Sequence, residues 1–279
     1  MTQNASDKFQ RPIATTAAIT LFRRWLLLGT AIKIALWCAF AVAVIVGTAW
    51  IVPLGYSILI GIVLLWVLLL VPSYRTAQLA LSSGPLIAAG DLSRAEDQLG
   101  RSIRGFSVIR AGKVAGLQQL AMLRHAQKRW AEAVQLTREL LSRQSESDQQ
   151  LQKTSRLVLI DSLLELGDVH AAGLELARVE QYRPDLKELM SITTLRLDFL
   201  ARIGDWPAMF AQVSRATALA EIMPARMAAR VQALLALAAR RVGRDDWAKF
   251  LTTRVELLTD IDELVKHRPI LWELWSAKE

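Results

Sequence analysis

From Ile34 to Tyr74 the chain runs for 41 residues without an Asp, Glu, Lys, Arg or His. No other feature constrains its folding as much. A single straight helix of that length would extend about 60 Å at the α-helical rise. A bilayer core needs only about 20 apolar residues. The run therefore predicts two membrane spans joined by a tight reversal. Pro53-Leu54-Gly55 supplies the break, because proline removes a helix donor and glycine permits a turn. The expected spans are residues 34–52 and 54–72. Trp50 and Tyr56 flank the break and are placed at one interface, with Trp25 and Tyr74 at the other.

The charges around the run set its expected orientation. Residues 1–33 hold five basic side chains against Asp7 alone, and Arg75, Arg94, Arg101, Arg104, Arg110 and Lys113 follow the second span. Basic flanks on both sides of an uncharged turn place both termini in the cytoplasm. The chain is then an integral protein of the inner or plasma membrane, with its bulk on the cytosolic side. The expected organisation is a cytosolic basic tail over 1–33, partly disordered, a transmembrane hairpin over 34–72 and a cytosolic helical domain over 75–279. Within the tail, Ile13, Ala17, Leu21 and Trp25 recur every four residues. That spacing fits either a short helix lying on the membrane or an upstream extension of the first span. An Ala-x-Ala triplet at 39–41 sits inside the apolar run, which continues well past it, so no cleaved signal is expected. Beyond Tyr74 the chain carries 29 basic and 25 acidic residues, which lacks the one-sided basic footprint of a nucleic-acid binder.

The second feature is a recurring punctuation. Gly90-Asp91-Leu92-Ser93-Arg94-Ala95 is echoed by Lys128-Arg129-Trp130-Ala131-Glu132-Ala133, by Gly167-Asp168-Val169-His170-Ala171-Ala172, and by Gly204-Asp205-Trp206-Pro207-Ala208-Met209. The final positions, 95, 133, 172 and 209, advance by 38, 39 and 37 residues. A fifth copy reads as Gly243 followed, after an insertion of Arg244 and Asp245, by Asp246-Trp247-Ala248. A nearly constant step of this size marks stacked repeats. In each copy glycine ends one helix in the left-handed conformation and aspartate caps the next. Behind the turn lie apolar stripes at helical spacing, such as Val169, Ala172, Leu176 and Val179, or Trp206, Met209, Val213 and Ala216. One such helix pair cannot bury its own core, so pairs must stack. Residues 260–279 read as a terminal helix broken at Pro269, with Trp272 and Trp275 covering the end of the stack.

This pattern resembles the tetratricopeptide repeat, in divergent form, over residues 76–258. That family has Gly-Asp-aromatic at the turn, a small residue early in the second helix and often a closing proline, here Pro184. Leu159, Ile160 and Leu163 match its packing sites in the third copy, as do Leu235, Ala236 and Ala239 in the fifth, whereas Arg124 and Arg196 occupy sites of that kind elsewhere. The step is longer than the roughly 34 residues usual for the family, and a HEAT-like array is the alternative helical solenoid. The resemblance implies an all-α fold in which a transmembrane helical hairpin is followed by an α-solenoid of about five TPR-like helix pairs. It also implies a concave face, made by the first helix of each pair, that binds a protein partner. By register that face holds Gln118, Gln119, Met122 and His125 in the second pair, Thr154, Asp161 and Glu165 in the third, and Thr194, Asp198 and Arg202 in the fourth.

Chemistry-bearing motifs are missing from the sequence. It has no G-x-x-x-x-G-K, no G-x-G-x-x-G, no H-E-x-x-H and no G-x-S-x-G. The single cysteine, Cys38, lies in the first expected span, and His125, His170 and His267 are far apart. The expectation is a scaffold or adaptor, not an enzyme, without metal or cofactor, whose partners are a protein and the lipid bilayer and not nucleic acid. Two spans followed by cytosolic helical repeats are also similar in architecture to the HemY-type membrane proteins associated with bacterial haem synthesis. A non-TPR helical-repeat subunit of a membrane complex is the other alternative. A membrane enzyme or transport component is disfavoured, since the spans carry no charge to line a substrate path.

Overall fold

Glycine lacks a Cβ, so it can end a helix in the left-handed conformation at little cost. In the computed structural model, which describes residues 13–49, 52–143 and 149–276, Gly90, Gly167, Gly204 and Gly243 all adopt it, with φ of 80°, 79°, 74° and 72°. Lys128, with φ of 60°, is the only other residue to do so among the described residues. These are the five turns of the sequence pattern. In each, the following residue donates its N–H to the carbonyl five positions back: Asp91 to Leu86, Arg129 to Arg124, Asp168 to Leu163, Asp205 to Leu200 and Arg244 to Ala239. The left-handed residue itself donates to the carbonyl three back, which completes a Schellman closure. Asp91, Asp168 and Asp205 then cap the next helix, accepting from the N–H groups of Arg94, Ala171 and Ala208.

The fifth turn corrects the expectation of an insertion. Arg244 takes the capping position, without a side-chain cap, and the next helix begins at Asp245. Ala248 therefore stands five residues after Gly243, as Ala172 does after Gly167 and Ala95 after Gly90. All three alanines are buried, as are Ala133 and Met209 at the same offset. The register is kept throughout; only the capping aspartate is replaced.

The described residues contain helices and no strands, and the chain divides into two compact units, Met1–Asp148 and Gln149–Glu279. The first unit holds α1 (Thr15–Ala49), α2 (Val52–Ala88), α3 (Leu92–Arg104), α4 (Arg110–Ala126) and α5 (Trp130–Arg143). Both α1 and α2 are long and apolar enough to cross a membrane, with mean hydropathy of 2.1 and 1.9 over their most apolar stretches. Leu68, Trp37 and Ile45 are among their exposed side chains. Neither helix ends where the uncharged run ends. The chain from Thr15 onward is continuous with the first span, and the second continues past Pro72 to Ala88, where it becomes the first member of the pair turned at Gly90. Pro53 falls in the first turn of α2, where a missing N–H costs nothing, so the expected break at Pro53-Leu54-Gly55 is already helix. An uncharged run marks apolar surroundings, whereas the end of a helix is set by capping.

The second unit holds three pairs. Helix α6 (Gln149–Leu166) turns at Gly167 into α7 (Val169–Glu180). Helix α8 (Leu186–Ile203) turns at Gly204 into α9 (Trp206–Phe210) and α10 (Val213–Ala220), and α11 (Ala225–Arg241) turns at Gly243 into α12 (Asp245–Leu258). A capping box starts α8, with Asp185 and Glu188 exchanging hydrogen bonds across the first turn. Helix α11 carries a run from Val231 to Ala239 that is buried throughout, so it forms the centre of this unit rather than a surface helix. The end of the chain forms α13 (Ile261–His267), a 3-10 turn (Pro269–Trp272) and α14 (Glu273–Ser276). Leu271 and Leu274 are the residues that enter the core here, each contributing about 2 kcal/mol by burial. Trp272, expected to cover the core, is exposed, and Trp275 lies against the core edge with its indole N–H donating to Glu256.

Candidate interaction site

In the second unit, the register selected side chains on α6 and α8 that the fold brings into one charge network. Asp161 and Glu165 stand one turn apart on α6, and Asp198 and Arg202 one turn apart on α8. Arg230 of α11 pairs with the buried Asp198 and lies 3.8 Å from Asp161. Arg268, just after α13, bridges Glu165 at 2.5 Å and Asp198 at 3.2 Å. Arg202 reaches Glu165 at 3.4 Å. Three carboxylates thus meet three guanidiniums, two groups from α6, two from α8, one from α11 and one from the segment after α13. Burial pushes Arg230 down to about 10 and also lowers Arg202. Both groups still carry their charge at neutral pH.

Two of the six were not selected from the sequence. Arg230 was legible: it precedes Gly243 by 13 residues, as Thr154 precedes Gly167, so the register that selects Thr154 selects Arg230 too. Arg268 lies in an irregular segment without any register. Thr154 and Thr194 stay outside the network and return their hydroxyls to their own helices, to the carbonyls of Gln150 and Met190.

The first-unit candidates do not form a comparable cluster. Gln118, Gln119 and Met122 are half-buried along α4; Gln119 lies against Gly84 of α2, and His125 meets the Trp130 ring edge-on at 4.7 Å. The residue that organises this region is Arg124, which is fully buried. It donates to Glu96 at 2.8 Å, to Gln127 at 2.6 Å and to the main-chain carbonyl of Ile13 at 2.7 Å. Thr15 binds Glu132, and Arg23 forms a two-pronged pair with Glu139. These contacts, with buried Ala18 and Phe22, dock the start of α1 on α4 and α5. An arginine at a packing site is thus accommodated because an additional helix arrives there with a carbonyl to receive it. Arg196, the other such arginine, is exposed and pairs with Glu180 at 3.3 Å.

Lys113 is the second buried cation of this unit. Its ammonium donates to the carbonyls of Ser102, Ile103 and Gly105, closing the C-terminus of α3, and it stands 5.3 Å from the centre of the Trp25 ring. Burial without a carboxylate partner lowers it to about 8. Trp25 also meets Phe106 edge-on, so it takes part in packing inside the unit.

The second unit also has a cleft of about 600 Å³ between α7, α8 and the broken α9–α10 helix, floored by Leu189, Ile192 and Leu200 and rimmed by Arg196 and Arg215. Among the described residues, no cluster of three or more His, Cys, Asp or Glu side chains is placed to hold a metal. The described arrangement is a set of mutually paired charges beside an apolar cleft with a basic rim. No family model matches the chain, and neither a curated protein nor a solved structure matches it significantly.

Proposed function

We propose that this chain is a membrane-anchored, TPR-like adaptor that binds a protein partner at the cytosolic face of the inner or plasma membrane. The observation that carries the reading is the spacing of five Schellman turns, at residues 90, 128, 167, 204 and 243, the first of which closes a helix of membrane-spanning length. A repeated helix pair is a scaffold whose surface side chains choose the ligand. The gathering of Asp161, Glu165, Asp198 and Arg202 supports the first-helix face of the second unit as that surface. Basic residues on both flanks of the apolar hairpin support cytosolic termini.

The test is crosslinking in native membranes with full-length protein, comparing wild type with a Glu165→Gln, Arg202→Gln double variant. Both residues are partly exposed, and the buried Asp198–Arg230 pair is left intact. A near-stoichiometric protein captured by wild type and lost from a variant with an unchanged melting curve supports the reading. Capture that ignores the variant moves the binding face elsewhere, and the cleft below Arg196 and Arg215 becomes the next surface to alter. Absence of any crosslinked protein counts against the adaptor.

A further inference from the structure

The apolar helices α1 and α2 do not close on each other along their full length. Ala43 of α1 is buried, while farther from the α1–α2 connection a lateral groove of about 530 Å³ opens between the two helices. Its walls are Trp37 and Phe40 of α1 and Ile62, Val63 and Trp66 of α2, and Lys33 stands at its mouth. Trp37 and Phe40 meet edge-on at 5.9 Å, which fixes one wall. Lys33 is the only charged residue between Arg24 and Arg75. It has no carboxylate partner among the described residues.

Depth along the bilayer follows from helical rise. Counting from Ala49, Lys33 lies about 24 Å from the tip of the hairpin, and Trp66, counted from Val52, about 21 Å. A hydrocarbon core of about 30 Å puts both near its cytosolic edge, where a lysine stem reaches up to the headgroups. Phe40 and Ile62 lie about 14–15 Å from the tip. The groove therefore begins at a free ammonium at headgroup level and descends through aromatic and aliphatic walls into the hydrocarbon. Its polarity gradient is that of a phospholipid.

We infer that this groove is a binding site for an anionic phospholipid, one acyl chain lying between Trp37 and Trp66 and the phosphate on Lys33. A zwitterionic lipid fits the same walls, but its own cation competes with Lys33 for the phosphate; an anionic headgroup leaves that charge available. A transmembrane helix of another protein is the competing occupant, and it would cover Lys33 with apolar surface at a cost in desolvation. The inference rests on insertion of the hairpin in a bilayer and not on the adaptor reading.

The experiment reconstitutes full-length protein in phosphatidylcholine bilayers doped with chain-brominated phosphatidylglycerol or, separately, chain-brominated phosphatidylcholine, and reads tryptophan quenching. Expected is roughly fivefold stronger quenching per brominated lipid by phosphatidylglycerol. The preference disappears in Lys33→Gln, returns in Lys33→Arg, and shrinks in Trp37→Phe with Trp66→Phe, which identifies the quenched rings. Equal quenching by both lipids in wild type overturns the inference while leaving the membrane hairpin standing. A preference that survives Lys33→Gln, or that is unaffected by the tryptophan changes, places the anionic lipid elsewhere and also overturns it. Quenching by neither lipid removes the hairpin reading and the site with it.

Discussion

Arg124 and Ile13 are 111 residues apart in the chain, yet the guanidinium of one donates to the main-chain carbonyl of the other across 2.7 Å. With Thr15–Glu132 and Arg23–Glu139, this bond fastens the root of the first long helix to α4 and α5. Removing Arg124 leaves the buried Ile13 carbonyl without its donor and Glu96 without a cation, held by Gln127 alone. Arg124→Ala is expected to cost about 3–5 kcal/mol in the unfolding of the first unit. Chemical denaturation in detergent checks the magnitude. A loss below about 1 kcal/mol would show that the buried guanidinium is dispensable.

Acid should loosen the same attachment. The hydrogen bond from Arg23 holds the Glu139 carboxyl below its ordinary range. A carboxylate lowered in the folded state stabilises above its unfolded value, and that contribution is lost as pH falls through the folded value. Cleavage by an acid-tolerant protease near residues 14–24 is expected to accelerate as pH drops below about 4.5. In Glu139→Gln the attachment should already be weakened at neutral pH and should respond less to acid.

Lys113 carries the opposite sign. Burial lowers it to about 8, below the ordinary 10.5 of a lysine. Between those values the unfolded chain binds the proton more readily than the folded one, so stability rises with pH across that window. Melting temperatures of wild type and Lys113→Met, measured from pH 7 to 10.5, should show a rising difference in favour of wild type above pH 8. Parallel curves would mean that the ammonium is less shielded than its three carbonyl contacts and the Trp25 ring suggest.

The second turn can be improved. Lys128 holds a left-handed conformation that glycine adopts without a Cβ penalty. Lys128→Gly is expected to raise stability by about 1 kcal/mol, and Gly167→Ala to lower it by a similar amount. Thermal unfolding of both variants checks the signs. If Lys128→Gly is destabilising, its side chain contributes something that the turn geometry does not show.

Turn positions were legible because each is a local event, marked by glycine, a capping carboxylate and a small residue five positions on, or by two of the three. Lys128 has neither the glycine nor the carboxylate and was reached through Ala133 and the spacing of its neighbours. The role of Arg124 was not legible, since the Ile13 carbonyl it meets, just ahead of α1, leaves no periodic trace near residue 124. Helix ends do not coincide with the expected span ends for a related reason. Charge reports the solvent of a segment, and Pro72 inside α2 reads like a terminator although the helix continues to Ala88. Within the charge network, Asp161, Glu165, Asp198 and Arg202 followed from repeat register, while Arg268 arrives from an irregular segment that no register describes.

Helix α2 stays helical where it leaves the apolar run, although Pro72 and Pro85 lie inside it. From Pro72 to the turn at Gly90 it extends as one helical rod of about 27 Å. With the hairpin in a bilayer, that rod is a lever arm. Membrane helices tilt by tens of degrees as hydrocarbon thickness changes, and a tilt of about 20° would swing Gly90 sideways by about 9 Å. Inserted in this way, the unit would behave like an indicator needle, the surface of α3–α5 turning with the tilt that the surrounding lipid imposes.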